Sequence, residues 1–254
     1  MTARDFARAT RTRLRLFIVR VREPGKQQFD CPVCGYHGPF LDVAPPSGLR
    51  KHAECPRCNA LERHRLQFLV MSQLLNGRDT SRMRMLHFAP EPCFRELFSK
   101  RFGRYESADL NMPDVDHNVD LLQLPFPDAT YDFVFASHVL EHIREDEKAI
   151  SELRRVLKPN GIAVLPVPVV AARTIEYPEP SPTEGYHVRA PGFDYFDRYE
   201  RHFSRVDRIS SETLPSRHQP FVYENRTVYP TKACPWRPSM AGEKHTDIVP
   251  VCYV

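Results

Sequence analysis

Residues 120–161 read DLLQLPFPDATYDFVFASHVLEHIREDEKAISELRRVLKPNG, and this stretch constrains the chain more than any other. It sets out, in order, an acidic strand end, an apolar strand, a polar switch, a charged helix and a glycine turn. Tyr131 to Ala136 is short, apolar and rich in aromatic and β-branched residues, the pattern of a strand buried on both faces. Ser137, His138, Glu141 and His142 follow at its carboxyl end, where open α/β sheets place their ligands. From Glu145 to Leu157, Ile150, Leu153, Val156 and Leu157 recur at helical spacing, and Lys158-Pro159-Asn160-Gly161 stops the helix before a second buried strand at Ile162 to Val167. The order suits one half of a nucleotide-binding α/β sheet.

A chain of 254 residues holds one full α/β domain and a small module beside it. No stretch is long and apolar enough to span a membrane, since Leu16 to Val19 is bracketed by arginines. There is no signal-peptide apolar region, so a cytoplasmic protein is expected. The net charge of +4 favours an anionic partner only weakly. It is concentrated in a basic arm, residues 1–27, where Arg4, Arg8, Arg11, Arg13, Arg15, Arg20 and Arg22 form either a solvated face or a surface for a phosphate backbone.

Seven cysteines without an export signal argue against a disulfide framework. Cys31, Cys34, Cys55 and Cys58 stand in a C-x2-C-x20-C-x2-C array that brings four thiolates to one tetrahedral zinc ion. Such a closed shell is structural, and His37 and His52 are not needed as ligands. Cys93, Cys234 and Cys252 are isolated and read as packed residues. The zinc ribbon spans residues 28–60. An amphipathic helix at Leu61 to Leu75 follows so closely that the ribbon should be docked rather than free.

Met83 to Phe88 is the expected first strand of the sheet, a helix runs through Arg101, and Arg104 to Asp109 is the second strand. Asp109, with Leu110 beside it, is positioned to accept from the two hydroxyls of a ribose. Asp109 after strand two, Asp120-Leu121 before LPFPD, SHVLEH after strand four and LRRVLKPNG before strand five together resemble the class I S-adenosylmethionine-dependent methyltransferases. CPRCNALERHR and LHFAPE are similar to a subgroup of that family with an N-terminal four-cysteine module, and the resemblance covers roughly Cys31 to Phe203.

The resemblance implies an α/β fold: a Rossmann-like, seven-stranded sheet over residues 61–254 whose last, antiparallel strand is Ile248 to Tyr253. It implies S-adenosyl-L-methionine as cofactor, with Asp109 on the ribose and Asp120 and Leu121 at the adenine. His87, Phe88, Ala89 and Glu91 belong to the loop under the methionine part, with Ser137 and His138 flanking the sulfonium. The chain departs from the family in having His87-Phe88-Ala89-Pro90-Glu91 where a glycine-rich loop is usual. It also has Tyr186 where the subgroup's DHVR element carries an acid, ahead of Asp194-Tyr195.

Methyl transfer is an in-line displacement, so the protein chiefly holds acceptor and methyl in line. His138 is the first candidate base, with Glu141 and His142 behind it. His187 and Arg189 are candidates on the substrate side, Arg189 for a bidentate grip on a substrate anion. His138-x-x-Glu141-His142 also has the inverted zinc-protease spacing, but the resemblance accounts for it and no metal is assigned there. Insertions at about 168–195 and 215–247 are expected to cap the site. The expected activity is methylation of an oxygen or nitrogen of a small metabolite or modified peptide. The alternatives are an RNA methyltransferase, which a ribbon and a basic arm would suit, and a non-catalytic zinc-ribbon binding protein.

Overall fold

The computed structural model describes residues 14–17, 19, 21 and 25–254, so most of the expected basic arm lies outside the described residues. Along the chain run β1 (Phe29–Asp30), β2 (His37–Gly38), β3 (Leu41–Val43), β4 (Arg50–Glu54), α1 (Glu62–Leu74), β5 (Arg84–Phe88) and α2 (Pro92–Arg101). Then come β6 (Arg104–Asp109), β7 (His117–Asn118), β8 (Tyr131–Ala136), α3 (Asp146–Val156), β9 (Leu157–Val164), β10 (Ile175–Ser181) and β11 (His187–Ala190). The chain ends with α4 (Asp197–Glu200), β12 (Arg205–Ser210), β13 (Val222–Glu224), β14 (Lys244–His245) and β15 (Ile248–Tyr253).

Seven strands form the main sheet in the order β12-β15-β9-β8-β5-β6-β7, with β15 antiparallel to both neighbours and the other pairings parallel. This is the Rossmann-like sheet expected from the sequence, with Ile248–Tyr253 as its reversed strand. Its two faces are covered separately. Phe133 and Phe135 of β8 pack with Leu66 and Val70 of α1 and Phe94 and Phe98 of α2, while Val134 and Ala136 pack with Ile150, Leu153 and Val156 of α3. The strand-by-strand alternation explains why β8 is apolar throughout. The fifth strand starts and stops earlier than its apolar run: β9 begins at Leu157 and leaves the sheet after Val164. Pro166 and Pro168 have no N–H for a ladder and turn the chain toward the next insertion.

A second sheet, β3-β4-β13-β14, is antiparallel throughout and is built from both ends of the sequence. Tyr223 of β13 pairs with Lys51 of β4, so the insertion expected as a cap at about 215–247 completes the sheet of the cysteine module. A boundary at residue 60 therefore separates the cysteines from α1 without separating one sheet from another.

Arg65 of α1 ties these parts together. It has no exposed surface. Its guanidinium donates to the carbonyls of Ala53 at 2.8 Å, Ala60 at 2.7 Å, His218 at 3.0 Å and Gln219 at 2.9 Å, and lies 4.3 Å from the centre of the Phe40 ring. A charge this deep is tolerated only because oxygen acceptors surround it. The module is thereby clamped onto the helix that follows it.

Candidate active site

A cavity of about 590 Å³ opens at the carboxyl ends of β5, β6 and β8. Phe88, Ala89, Asp109, Leu110, Asp120, Leu121 and His138, all expected at the cofactor, line it together with Val139, His142 and Ile143. Asp109 accepts the N–H groups of Asn111 at 2.8 Å and Met112 at 2.7 Å through Oδ1, which shapes the loop after β6. Asp120 accepts from Leu122 N–H at 2.9 Å in the same way. Ala89, at the place of the missing glycine, has φ +46° and donates its N–H to Ala108 O at 2.9 Å. It adopts a left-handed backbone that glycine would adopt without a Cβ penalty.

Three residues expected at the cofactor do not line this cavity. His87 is fully buried among Phe98 and Phe135, with Nδ1 3.0 Å from Tyr105 Oη, and burial pushes its pKa down to about 3. It faces the core because β5 alternates and the neighbouring Phe88 takes the opposite face. Glu91 receives hydrogen bonds from Arg63 at 2.8 Å and His64 at 2.6 Å. Burial alone would raise its pKa, but His64 and Arg63 outweigh it and hold the carboxyl at about 2. Ser137 donates to Gln67 Oε1 of α1 at 3.0 Å.

His138 belongs to the wall of a second cavity as well, of about 290 Å³. Its backbone is left-handed, φ +53°, and its N–H donates to Pro166 O at 2.9 Å. A strained backbone held by its surroundings is characteristic of functional positions. The second cavity is bounded by Arg50 of β4, Glu62 and Arg63 of α1, Glu184 and His187 of the β10–β11 hairpin, and Glu224, Arg226, Arg237 and Asp247 near the C-terminus. Glu224 takes hydrogen bonds from Arg226 at 2.7 Å and Arg237 at 2.8 Å. Buried side-chain atoms without a hydrogen-bond partner among the described residues include Nε of Arg50, Arg63 and Arg237, Oε1 of Glu62, Oε2 of Glu184 and Nε2 of His138. Burial raises the pKa of both Glu62 and Asp247. Of this lining, the sequence pointed only to His138 and His187. Glu62 and Arg63 lie within the ALERHR junction, but Arg226, Arg237 and Asp247 carry no local signature.

The candidate catalytic residues His138, Glu141 and His187 do come together. Nδ1 of His138 lies 3.2 Å from Oε1 of Glu141, and Nε2 of His187 lies 3.9 Å from the same oxygen. Burial lowers the pKa of His187 to about 4, so its ring is neutral near pH 7. Arg189 is placed differently from the expectation that it meets a substrate anion. It is 1% exposed and spends its donors on Glu176 at 2.9 Å and on the carbonyls of Leu140 at 2.7 Å, Ile143 at 2.6 Å and Arg144 at 3.0 Å. It lines neither cavity and positions the turn that carries Glu141 and His142.

The sulfur atoms of Cys31, Cys34, Cys55 and Cys58 converge within 4.8 Å, with Cys31–Cys58 at 3.6 Å and Cys34–Cys55 at 3.7 Å. A tetrahedral ion with metal–sulfur bonds of about 2.3 Å needs sulfur–sulfur edges of about 3.8 Å, so the four thiols fit one ion. Cys234 and Cys252 are buried.

Residues 89–165 match the family described as "Methyltransferase domain". Over 77 residues the chain is 34% identical to an uncharacterised 37.1 kDa protein of transposon TN4556 from Streptomyces fradiae, covering 30% of this chain and 22% of that protein. Over 43 residues it is 46% identical to sterol 24-C-methyltransferase ERG6B of Gibberella zeae, covering 17% of this chain and 11% of that one. The chain thus spans about a fifth or less of the length of these relatives. Among solved structures, an S-adenosylmethionine-dependent methyltransferase from Mesorhizobium loti aligns over 74% of this chain and 97% of its own at 15% identity, with a TM-score of 0.48. Residues 89–165, from the loop after β5 to the end of β9, carry a methyltransferase domain.

Proposed function

We propose that the protein is an S-adenosylmethionine-dependent methyltransferase acting on an oxygen or nitrogen of a small polar molecule. The observation that carries this reading is that two cavities, one at the strand ends of the methyltransferase domain and one walled by charged residues, share His138. Cofactor in the first cavity, with its ribose on Asp109 and its adenine beside Asp120 and Leu121, would present its methyl group to an acceptor in the second. The cofactor supplies an electrophilic methyl on a sulfonium. The chain's own task is to hold the acceptor in line and keep water out. His138 is the side chain that faces the accepting atom. Guanidinium and carboxylate groups that keep single donor or acceptor atoms spare, in a cavity of about 290 Å³, suit a compact polar acceptor better than a nucleic-acid strand.

The four cysteines are read as a structural zinc site, since four thiolates leave no open coordination position. A reducing compartment, the cytoplasm, suits such a site. The cysteine module and the His87–Glu91 loop are read as marks of a subgroup within the family. Crystals grown with S-adenosylhomocysteine should hold it between Ala89, Asp109 and Leu121. A complex with the ligand elsewhere, or crystals that never take it up, would overturn this reading.

A further inference from the structure

A fully buried carboxylate ordinarily has its oxygens hydrogen-bonded, because burying an unpaired charge is costly. Glu141 has no exposed surface, and its polar neighbours are His138 Nδ1 at 3.2 Å and His187 Nε2 at 3.9 Å, both on Oε1 and neither with full hydrogen-bond geometry. What surrounds it is imidazole. His142 follows it on the same turn, and His187 reaches it from β11, with the two rings 4.8 Å apart and nearly perpendicular. One ligand atom from each of Glu141, His142 and His187 lies within 4.8 Å of the others. Nδ1 of His187 is buried without a hydrogen-bond partner.

We propose that Glu141, His142 and His187 bind a divalent transition-metal ion at the junction of the two cavities. Two imidazoles and one carboxylate suit zinc, iron(II) and similar ions, and three protein ligands leave positions open. The site differs in kind from the closed four-cysteine set. It is also preorganised: Arg189 grips the carbonyls of Leu140, Ile143 and Arg144, fixing the turn that carries two of the three ligands. His138, 3.2 Å from Glu141 Oε1, is placed to support that ligand from behind or to join it. His142 lines the larger cavity and His187 the smaller, so an oxygen of a bound molecule can complete the coordination. The sequence alone shows only His138-x-x-Glu141-His142. The third ligand comes from a hairpin strand 45 residues beyond His142, and the fold brings it in.

The test does not depend on methyl transfer. Full-length protein is dialysed against a mild chelator under reducing conditions and titrated with Co²⁺, followed by calorimetry and visible absorption. Wild type should take up one equivalent with d–d bands but no thiolate charge-transfer band. Glu141→Gln and His142→Ala should each weaken that uptake by more than about 100-fold. His142 is exposed, so its variant tests the site even if Glu141→Gln folds poorly. No such uptake by wild type, uptake carrying only thiolate bands, or unchanged uptake by His142→Ala would overturn the proposal.

Discussion

Arg189 Nη1 donates to the backbone carbonyl of Leu140 at 2.7 Å, joining the β10–β11 hairpin to the turn that follows β8. The same guanidinium lies 3.4 Å from Asp146 and bonds Glu176. Arg189→Ala would therefore leave Asp146 buried with fewer partners and free the turn. We expect a loss of about 3–5 kcal/mol in denaturant unfolding. A loss below 1 kcal/mol would show that the clamp is dispensable.

Cys55→Ser removes one of four converging thiols beside a carbonyl that Arg65 also depends on, since Ala53 and Ala60 flank Cys55. Metal analysis of wild type should find one tightly held zinc per chain, resistant to mild chelation, and the variant should lose it and unfold its N-terminal module more easily. Wild-type protein retaining well under one equivalent would contradict the assignment.

Ala89 holds a left-handed backbone on the wall of the larger cavity. Ala89→Gly should relieve about 1 kcal/mol of strain, partly offset by the extra freedom of glycine in the unfolded chain. The expected result is a melting temperature equal to or slightly above wild type and undiminished binding of S-adenosylhomocysteine. A marked loss of binding would show that the methyl group itself shapes the pocket.

His138 separates cofactor binding from transfer. His138→Ala should leave cofactor affinity within a few-fold, yet slow single-turnover methylation of an acceptor used by wild type by about 100-fold or more. An unchanged transfer rate would remove His138 from the reaction.

Much of this arrangement was legible in the sequence because its signals are local. Cys-x-x-Cys knuckles, an apolar run such as Tyr131–Ala136 and an acid at a strand end each need only a few neighbouring residues. The pairing of Tyr223 with Lys51 has no such signal, since β13 is three residues long and its partner lies more than 170 residues away. Arg65 looks like any basic residue on a helix until the carbonyls of Ala53, Ala60 and Gln219 are folded around it. His87 groups by sequence with the loop that follows it, but strand alternation turns its ring into the core. Arg189 has the right chemistry for an anion and finds its acceptors inside the protein.

In the proposed complex, the cavity at the ends of β5, β6 and β8 binds S-adenosylmethionine through Asp109. Calorimetric titration of wild type and Asp109→Ala tests it most directly. Wild type should saturate at one cofactor per chain, and the variant, having lost a charged acceptor for the ribose hydroxyls, should bind more weakly by roughly 1.5–3 kcal/mol, about 10- to 150-fold. Absence of binding by folded wild-type protein, or equal affinity in the two proteins, would contradict the account.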